Sequence, residues 1–233
     1  MASRLDILAG EIARCTRCPR LVAYRERVAR EKRRRYRDED YWGRPVPGFG
    51  DPAARILILG LAPGAHGSNR TGRMFTGDRS GDFLYGTLHS AGLASQPESV
   101  RRGDGLLLRD VFISAACRCA PPVNKPTPEE IRNCRPWLER ELALLERVRV
   151  VVALGRIAFG DYLTLLHDEG RIQRRSAFVF GHNRVHQTGP DLPWLISSYH
   201  PSQQNTQTGK LTPAMFREVF VEALRLADSF PGR

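Results

Sequence analysis

The sequence predicts an α/β fold: a mostly parallel, four-stranded sheet covered by helices on both faces. Two observations carry this. Four short and nearly continuous apolar runs, at 55–61, 111–116, 149–154 and 194–199, have the length and composition of strands buried on both faces. Segments of helical periodicity alternate with them, at 80–92, 127–147, 156–167 and 213–229.

Helical pattern also precedes the first strand, at 3–13 and 20–37. The second stretch is a basic helix holding Arg20, Arg25, Arg27, Arg30, Lys32, Arg33, Arg34, Arg35 and Arg37. Residues 41–50 are punctuated by Pro and Gly and read as loop. Thr127-Pro128-Glu129-Glu130 opens a helix, with Thr at the N-cap and Pro at the first helical position. The Gly/Pro-rich stretch 181–193 reads as a weaker strand or hairpin before the last core strand. No internal repeat is present. A chain of 233 residues, 41% of them apolar, suits one core, so the expectation is a single domain over 1–233 with an N-terminal helical part at about 1–45.

A formal net charge of +11 points to a polyanionic partner, because every neutralised phosphate releases a counterion. The bland alternative is a solvated basic surface. All basic residues except Lys32, Lys125 and Lys210 are arginines, which suits phosphate forks and equally a GC-rich genome. No apolar run approaches the roughly 18 residues a membrane span needs. The opening Met1-Ala2-Ser3-Arg4-Leu5-Asp6 lacks the layout of a secretory signal, so a cytoplasmic, non-membrane protein is expected.

Ligands of open parallel sheets bind beyond the carboxyl ends of the strands. The distinctive residues follow those ends: Gly60-Leu61-Ala62-Pro63-Gly64, Cys119-Ala120-Pro121-Pro122, Gly155-Arg156 and His200-Pro201-Ser202. Four loops are expected to share one rim.

There are five cysteines. Cys15 and Cys18, two residues apart, bring two thiolates to one centre, and Cys119 and Cys134 could complete a set of four. Zinc and an iron–sulfur cluster both accept four thiolates, so spacing does not choose between them. Cys117, two residues from Cys119 on a strand, reads as a small buried apolar residue.

Three long stretches carry a resemblance. They run from Gly60 to Asp78, from Cys119 to Glu130, and from Ser198 to Gly209, in that order. The first looks like motif 1 of the family 5 (UdgB-type) uracil-DNA glycosylases, and the others resemble that family's central and closing motifs. The similarity covers nearly the whole chain, from about Cys15 to the last helix. It implies a uracil-glycosylase three-layer α/β/α sandwich. It also implies a structural [4Fe-4S] cluster held by Cys15, Cys18, Cys119 and Cys134, with Cys117 outside the ligand set and the N-terminal part supplying two ligands. Two positions separate the chain from family 4: Leu61 replaces a Glu, and Ala115 replaces a uracil-reading Asn. The catalytic carboxylate of family 1 would fall at Ala62, so the usual water-activating residue is absent from motif 1.

The resemblance implies a monofunctional glycosylase that flips uracil out of double-stranded DNA, with single-stranded DNA as an alternative substrate, and leaves an abasic site. Breaking an N-glycosidic bond needs a donor for the departing base anion, a site for water and a stacking platform. His200 is the expected donor, since Pro201 restricts it to an extended backbone after a core strand. Asp78 is the candidate to position water or support the oxocarbenium ion; a helix start near Ser80 makes N-capping the competing role. Asn124 is placed with the catalytic group, near base or water, as is Asn205 with the substrate; turn formation competes for both. Phe75 is expected to stack on the base. Gly60, Ala62 and Gly64 line the approach, Ala115 faces the base, and Ser202 meets the phosphate backbone. Lys125, in a Pro-rich loop, lacks the apolar surroundings of a Schiff-base lysine. Without the Asn at position 115, hypoxanthine and xanthine join uracil as expected substrates. A monomer is expected.

Rival readings fare less well. A DNA-binding module without chemistry would not need His200 and Asp78 together. A zinc deaminase would carry a His-x-Glu pattern beside cysteines, and none occurs at His66, His89 or His182. A dinucleotide enzyme would carry the three-glycine fingerprint that Gly60–Gly64 lacks.

Overall fold

Two helices lead into the sheet in the computed structural model, which describes residues 3–230. Met1 and Ala2 of the opening segment, and residues 231–233 of the expected domain span, lie outside the described residues. Helix α1 (Arg4–Ala13) opens on a capping box: the Ser3 hydroxyl accepts from the Asp6 backbone, and the Asp6 carboxylate accepts from that of Ser3. Helix α2 (Pro19–Glu31) starts with proline at its first position, directly after Cys18. It is shorter than the basic helix expected over 20–37. The chain leaves the helical region at Lys32, where φ is 48°, and Arg34–Tyr36 forms a separate 3₁₀ turn. Crowded cations one turn apart repel; outside the helix, Arg35 instead stacks over Tyr36 at 4.4 Å.

The sheet elements follow: β1 (Phe49–Gly50), β2 (Ile56–Gly60), helices α3 (Ser68–Thr71) and α4 (Arg79–Ser90), β3 (Val111–Ala115), α5 (Pro128–Leu144), β4 (Val150–Leu154), α6 (Arg156–Asp168), β5 (Arg184–Gln187), β6 (Trp194–Ser198), α7 (Gln203–Gln207) and α8 (Pro213–Ser229). Their order across the sheet is β1-β3-β2-β4-β6-β5. The four apolar runs become the parallel centre. The sheet has six strands rather than four, because antiparallel β1 and β5 close its edges. The 181–193 stretch supplies β5. β1 lies in the segment read as loop: it is two residues long, and its glycine permits a pairing too close for a side chain. A Cβ on Gly50 would lie 2.3 Å from the Val111 carbonyl oxygen.

Alternate residues of each central strand feed opposite layers. Ile56, Ile58, Ile113, Val152 and Ile196 pack with Leu84 and Leu88 of α4 and Phe216 and Phe220 of α8. Leu57, Leu59, Phe112, Val151 and Leu195 pack with Leu138 of α5 and Phe159 and Tyr162 of α6. Two buried layers explain why the strands read as unbroken apolar runs. A third apolar cluster joins Leu8 and Ile12 of α1 and Leu21 of α2 to Trp137 of α5 and to the cysteines.

Candidate active site

Parallel register brings the carboxyl ends of the central strands together. Gly60 lies beside Ala115, and Leu154 beside Ser198. The loop after Gly60 is fixed by two inward arginines. Arg70 donates to the carbonyls of His66 at 2.9 Å and Gly77 at 3.0 Å, pairs with Glu39, and lies over the Tyr36 ring at 3.8 Å. Arg73 pairs with Asp104 at 2.5 Å and donates to Ser99 at 2.7 Å and Thr76 at 3.0 Å. Both arginines lie within the motif-like stretch, but neither was expected to be structural; residue type does not reveal an arginine turned inward. His66 joins them in ordering this loop, its Nδ1 3.0 Å from the Tyr41 hydroxyl.

Phe75 and Asp78 follow the two arginines in the same loop. Phe75 adopts φ 52°, a strained left-handed conformation for a bulky residue. Its ring lies so near Gly60 that a Cβ there would meet Cε2 at 2.9 Å. Asp78 is the N-cap of α4: Oδ1 accepts from Gly81 N at 3.1 Å. Oδ2 makes no close hydrogen bond among the described residues, and the Ser80 backbone N–H also faces the carboxylate. Oδ2 occupies a notch made by two glycines, where a Cβ on Gly64 would come within 2.8 Å and one on Gly67 within 2.0 Å. Burial raises the Asp78 carboxyl above its ordinary range, against the pull of the Gly81 hydrogen bond. Capping uses one oxygen and is therefore compatible with a second role for the other.

The His200 ring lies 5.9 Å from the Phe75 ring, inclined by 30°. Burial alone lowers its pKa to about 4, so the imidazole is neutral near pH 7. Neither ring nitrogen has a hydrogen-bond partner among the described residues. The backbone of His200 is held instead: Asn205 donates its side-chain amide to the His200 carbonyl at 2.9 Å. Ser202 caps α7, accepting from Asn205 N at 3.3 Å. The structure thus gives Ser202 and Asn205 local work in shaping the His200 loop. Asn124 is exposed at φ 56° on the short turn Pro122–Asn124, and Lys125 beside it is exposed too. Ala115 is fully buried at the end of β3. Ala62 packs toward the cysteine cluster.

All five cysteines gather in that cluster. Among the described residues, no three His, Cys, Asp or Glu side chains are arranged around a single ion. The sulfurs nevertheless face donors. The buried Arg25 guanidinium donates to Cys119 Sγ at 3.0 Å, the Arg118 backbone to Cys134 Sγ at 3.1 Å, and the Asn133 amide to Cys18 Sγ at 3.7 Å. Such N–H groups match anionic sulfur. Burial raises the Cys119 thiol to about 12, with Arg25 pulling the other way. The neighbouring Cys134 and burial hold the Cys117 thiol far above its usual range, while Cys134 is lowered by that same contact. Sulfurs that face N–H donors fit a thiolate-held group, and the donor set Cys15, Cys18, Cys119 and Cys134 suits zinc and an iron–sulfur cluster alike.

The profile of the uracil DNA glycosylase superfamily matches residues 47–224. The chain is 61% identical over 213 residues to a protein of Thermus thermophilus named type-5 uracil-DNA glycosylase, covering 91% of this chain and 94% of that one. A protein of Mycobacterium tuberculosis with the same name is 52% identical, covering 93% and 79%. Similarity to a type-4 uracil-DNA glycosylase of Archaeoglobus fulgidus is lower, 37% over 67% of this chain and 70% of that one.

Proposed function

The chain belongs to the uracil DNA glycosylase superfamily, among the type-5 uracil-DNA glycosylases, and on that premise we propose that it hydrolyses the bond between uracil and deoxyribose in DNA. The observation that carries the mechanism is the neutral, unpartnered His200 ring 5.9 Å from Phe75, on the same rim as the free oxygen of Asp78.

Duplex DNA meets the basic surface and the damaged nucleotide leaves the stack, at a cost of a few kcal/mol that is lower at mismatches. The base lies on Phe75. The N-glycosidic bond breaks heterolytically, its electron pair leaving with the base. His200 donates an N–H to the base oxygen where charge develops; a neutral imidazole does this without first losing a proton. Oδ2 of Asp78 stabilises the positive sugar and orients a water. The water oxygen bonds to C1′ and its proton passes to the carboxylate, then to solvent. Asn124 contributes to holding base or water from its exposed turn, and Gly60, Ala62, Gly64, Ser202 and Asn205 shape the pocket and the strand path. Lys125 is exposed, without the apolar surroundings of a Schiff-base lysine, and the product is an abasic site.

Cys15, Cys18, Cys119 and Cys134 would hold a [4Fe-4S] cluster, which when bound supplies a cross-link between the N-terminal helices, the loop after β3 and α5. Arg25 offsets the negative charge of the sulfurs. We read the chain as one domain over 1–233, a cytoplasmic monomer acting on double-stranded DNA, with single-stranded DNA as a second substrate. No helix of the described residues is long and apolar enough to cross a membrane. Oligonucleotides carrying one uracil, hypoxanthine or xanthine, incubated with the protein and then cleaved by alkali, test this reading. Strand cleavage only after alkali is expected. No excision of uracil at excess enzyme would overturn it.

A further inference from the structure

We propose that the groove beside α6 is a second DNA-contact site, which holds the phosphate backbone of the duplex beyond the flipped nucleotide. This rests on the DNA-excision reading above. The groove is open, about 610 Å³ in volume, and carries Arg156, Arg174 and Arg175 over walls of Phe159, Phe178 and Phe180. No carboxylate lines it. Elsewhere, inward arginines are neutralised: Arg55 pairs with Asp110, Arg73 with Asp104, Arg118 with Glu141 and Arg135 with Asp161. Among the described residues, none of the three groove arginines has a carboxylate partner. Arg175 donates only to the Thr164 hydroxyl, at 2.7 Å, and Arg156 stacks over the Phe180 ring at 5.0 Å. Three uncompensated guanidiniums above apolar walls make a focused positive field in a concave site, and their planar forks suit phosphate oxygens.

Position selects DNA as the occupant. The groove begins at the wall behind His200. A Cβ on Gly155, the residue before Arg156, would lie 3.5 Å from the His200 Cβ. The Phe180 ring stands 6.3 Å from Tyr199, the residue before His200. A strand whose lesion is seated at His200 therefore carries its flanking phosphates toward this groove, along the β6–β5 side of the sheet.

The test is Arg174→Ala/Arg175→Ala beside Arg174→Lys/Arg175→Lys. The probe is a duplex bearing one non-hydrolysable 2′-fluoro-deoxyuridine, used full length and with either flank trimmed. Binding is read against salt, and excision by single turnover on the ordinary uracil duplex. The alanine pair should bind the full duplex about tenfold more weakly at physiological salt, with a salt slope smaller by about two, near 0.9 per lost phosphate contact. Its saturated excision rate should match wild type. The lysine pair should keep most of the slope. Trimming one flank should bring wild type down to the alanine pair. If wild type excises uracil and the alanine pair binds with unchanged affinity and slope, the groove proposal is overturned and the glycosylase reading stands. Equal loss of slope in the lysine pair would trace the effect to packing and also overturn it. A wild-type protein that excises nothing would instead sink the underlying reading.

Discussion

The free oxygen of Asp78 fills the space a side chain on Gly67 would need: a Cβ there would lie 2.0 Å from Oδ2. Gly67 is thus part of the mould that aims the carboxylate. Asp78→Ala is expected to lower single-turnover excision by at least tenfold with DNA affinity nearly intact. Gly67→Ala should do much the same by displacing the carboxylate. Asp78→Asn, which keeps a capping oxygen for Gly81, separates the two roles. If it excises at the wild-type rate, Asp78 is a cap and nothing more.

His200 should link acid stability to the site. An unfolded histidine titrates near 6.5, whereas His200 in the folded chain titrates at about 4. Between these values the unfolded chain binds more protons. The stability from His200 is therefore complete above about pH 6.5 and declines as pH falls toward 4. His66, His182 and His186 are lowered by burial as well, so they share the slope. Urea unfolding at about pH 7 and about pH 5 should show a smaller acid loss in His200→Asn than in wild type. His200→Ala should lower excision by about tenfold or more at pH 7, through loss of the donor.

The cysteines predict a brown protein with absorption near roughly 400 nm, from sulfur-to-iron charge transfer. Cys119→Ala should lose iron and solubility, and Cys117→Ala should keep both. Arg25 is 4% exposed, and its Nε has no partner. Arg25→Met should speed iron release to a chelator several-fold, since the buried anionic sulfur loses its counter-charge. Colourless, folded protein with stoichiometric zinc would refute the iron assignment.

Ala115 is expected to set substrate breadth. It lies beside Gly60, against whose Cα side the Phe75 ring packs. A methyl group leaves no unmatched buried dipole to reject a different base, and apolar pockets discriminate weakly. Kinetics on matched duplexes should show excision of hypoxanthine and xanthine as well as uracil. Ala115→Asn should narrow the range toward uracil; removal of uracil alone by the wild type would count against the broad pocket.

The basic surface should make binding fall steeply with salt, because α2 and the rim arginines displace counterions from phosphate. Affinity that is flat between low and physiological salt, measured by anisotropy, would contradict a phosphate-dominated interface.

The central strands and the helices between them were legible in the sequence, because residues buried on both faces must be apolar at every position and the covering helices must show a stripe. The grouping of Cys15 and Cys18 with Cys119 and Cys134 could be proposed from spacing and motif, and the fold brings all five cysteines into one cluster. What only the tertiary structure decided is which polar groups are spent and which remain free. The motif contains Arg70, Arg73 and Asp78 alike. Folding turns both arginines inward to staple the loop, and it leaves one Asp78 oxygen without a close hydrogen bond beside two glycines. It commits Asn205 to the His200 carbonyl and leaves the His200 ring bare. β1 was invisible for a related reason: two residues form a strand only because β3 offers its edge. Periodicity reports how much surface a segment must hide. Hydrogen-bond partners come from distant parts of the chain, and no local pattern of residues records them.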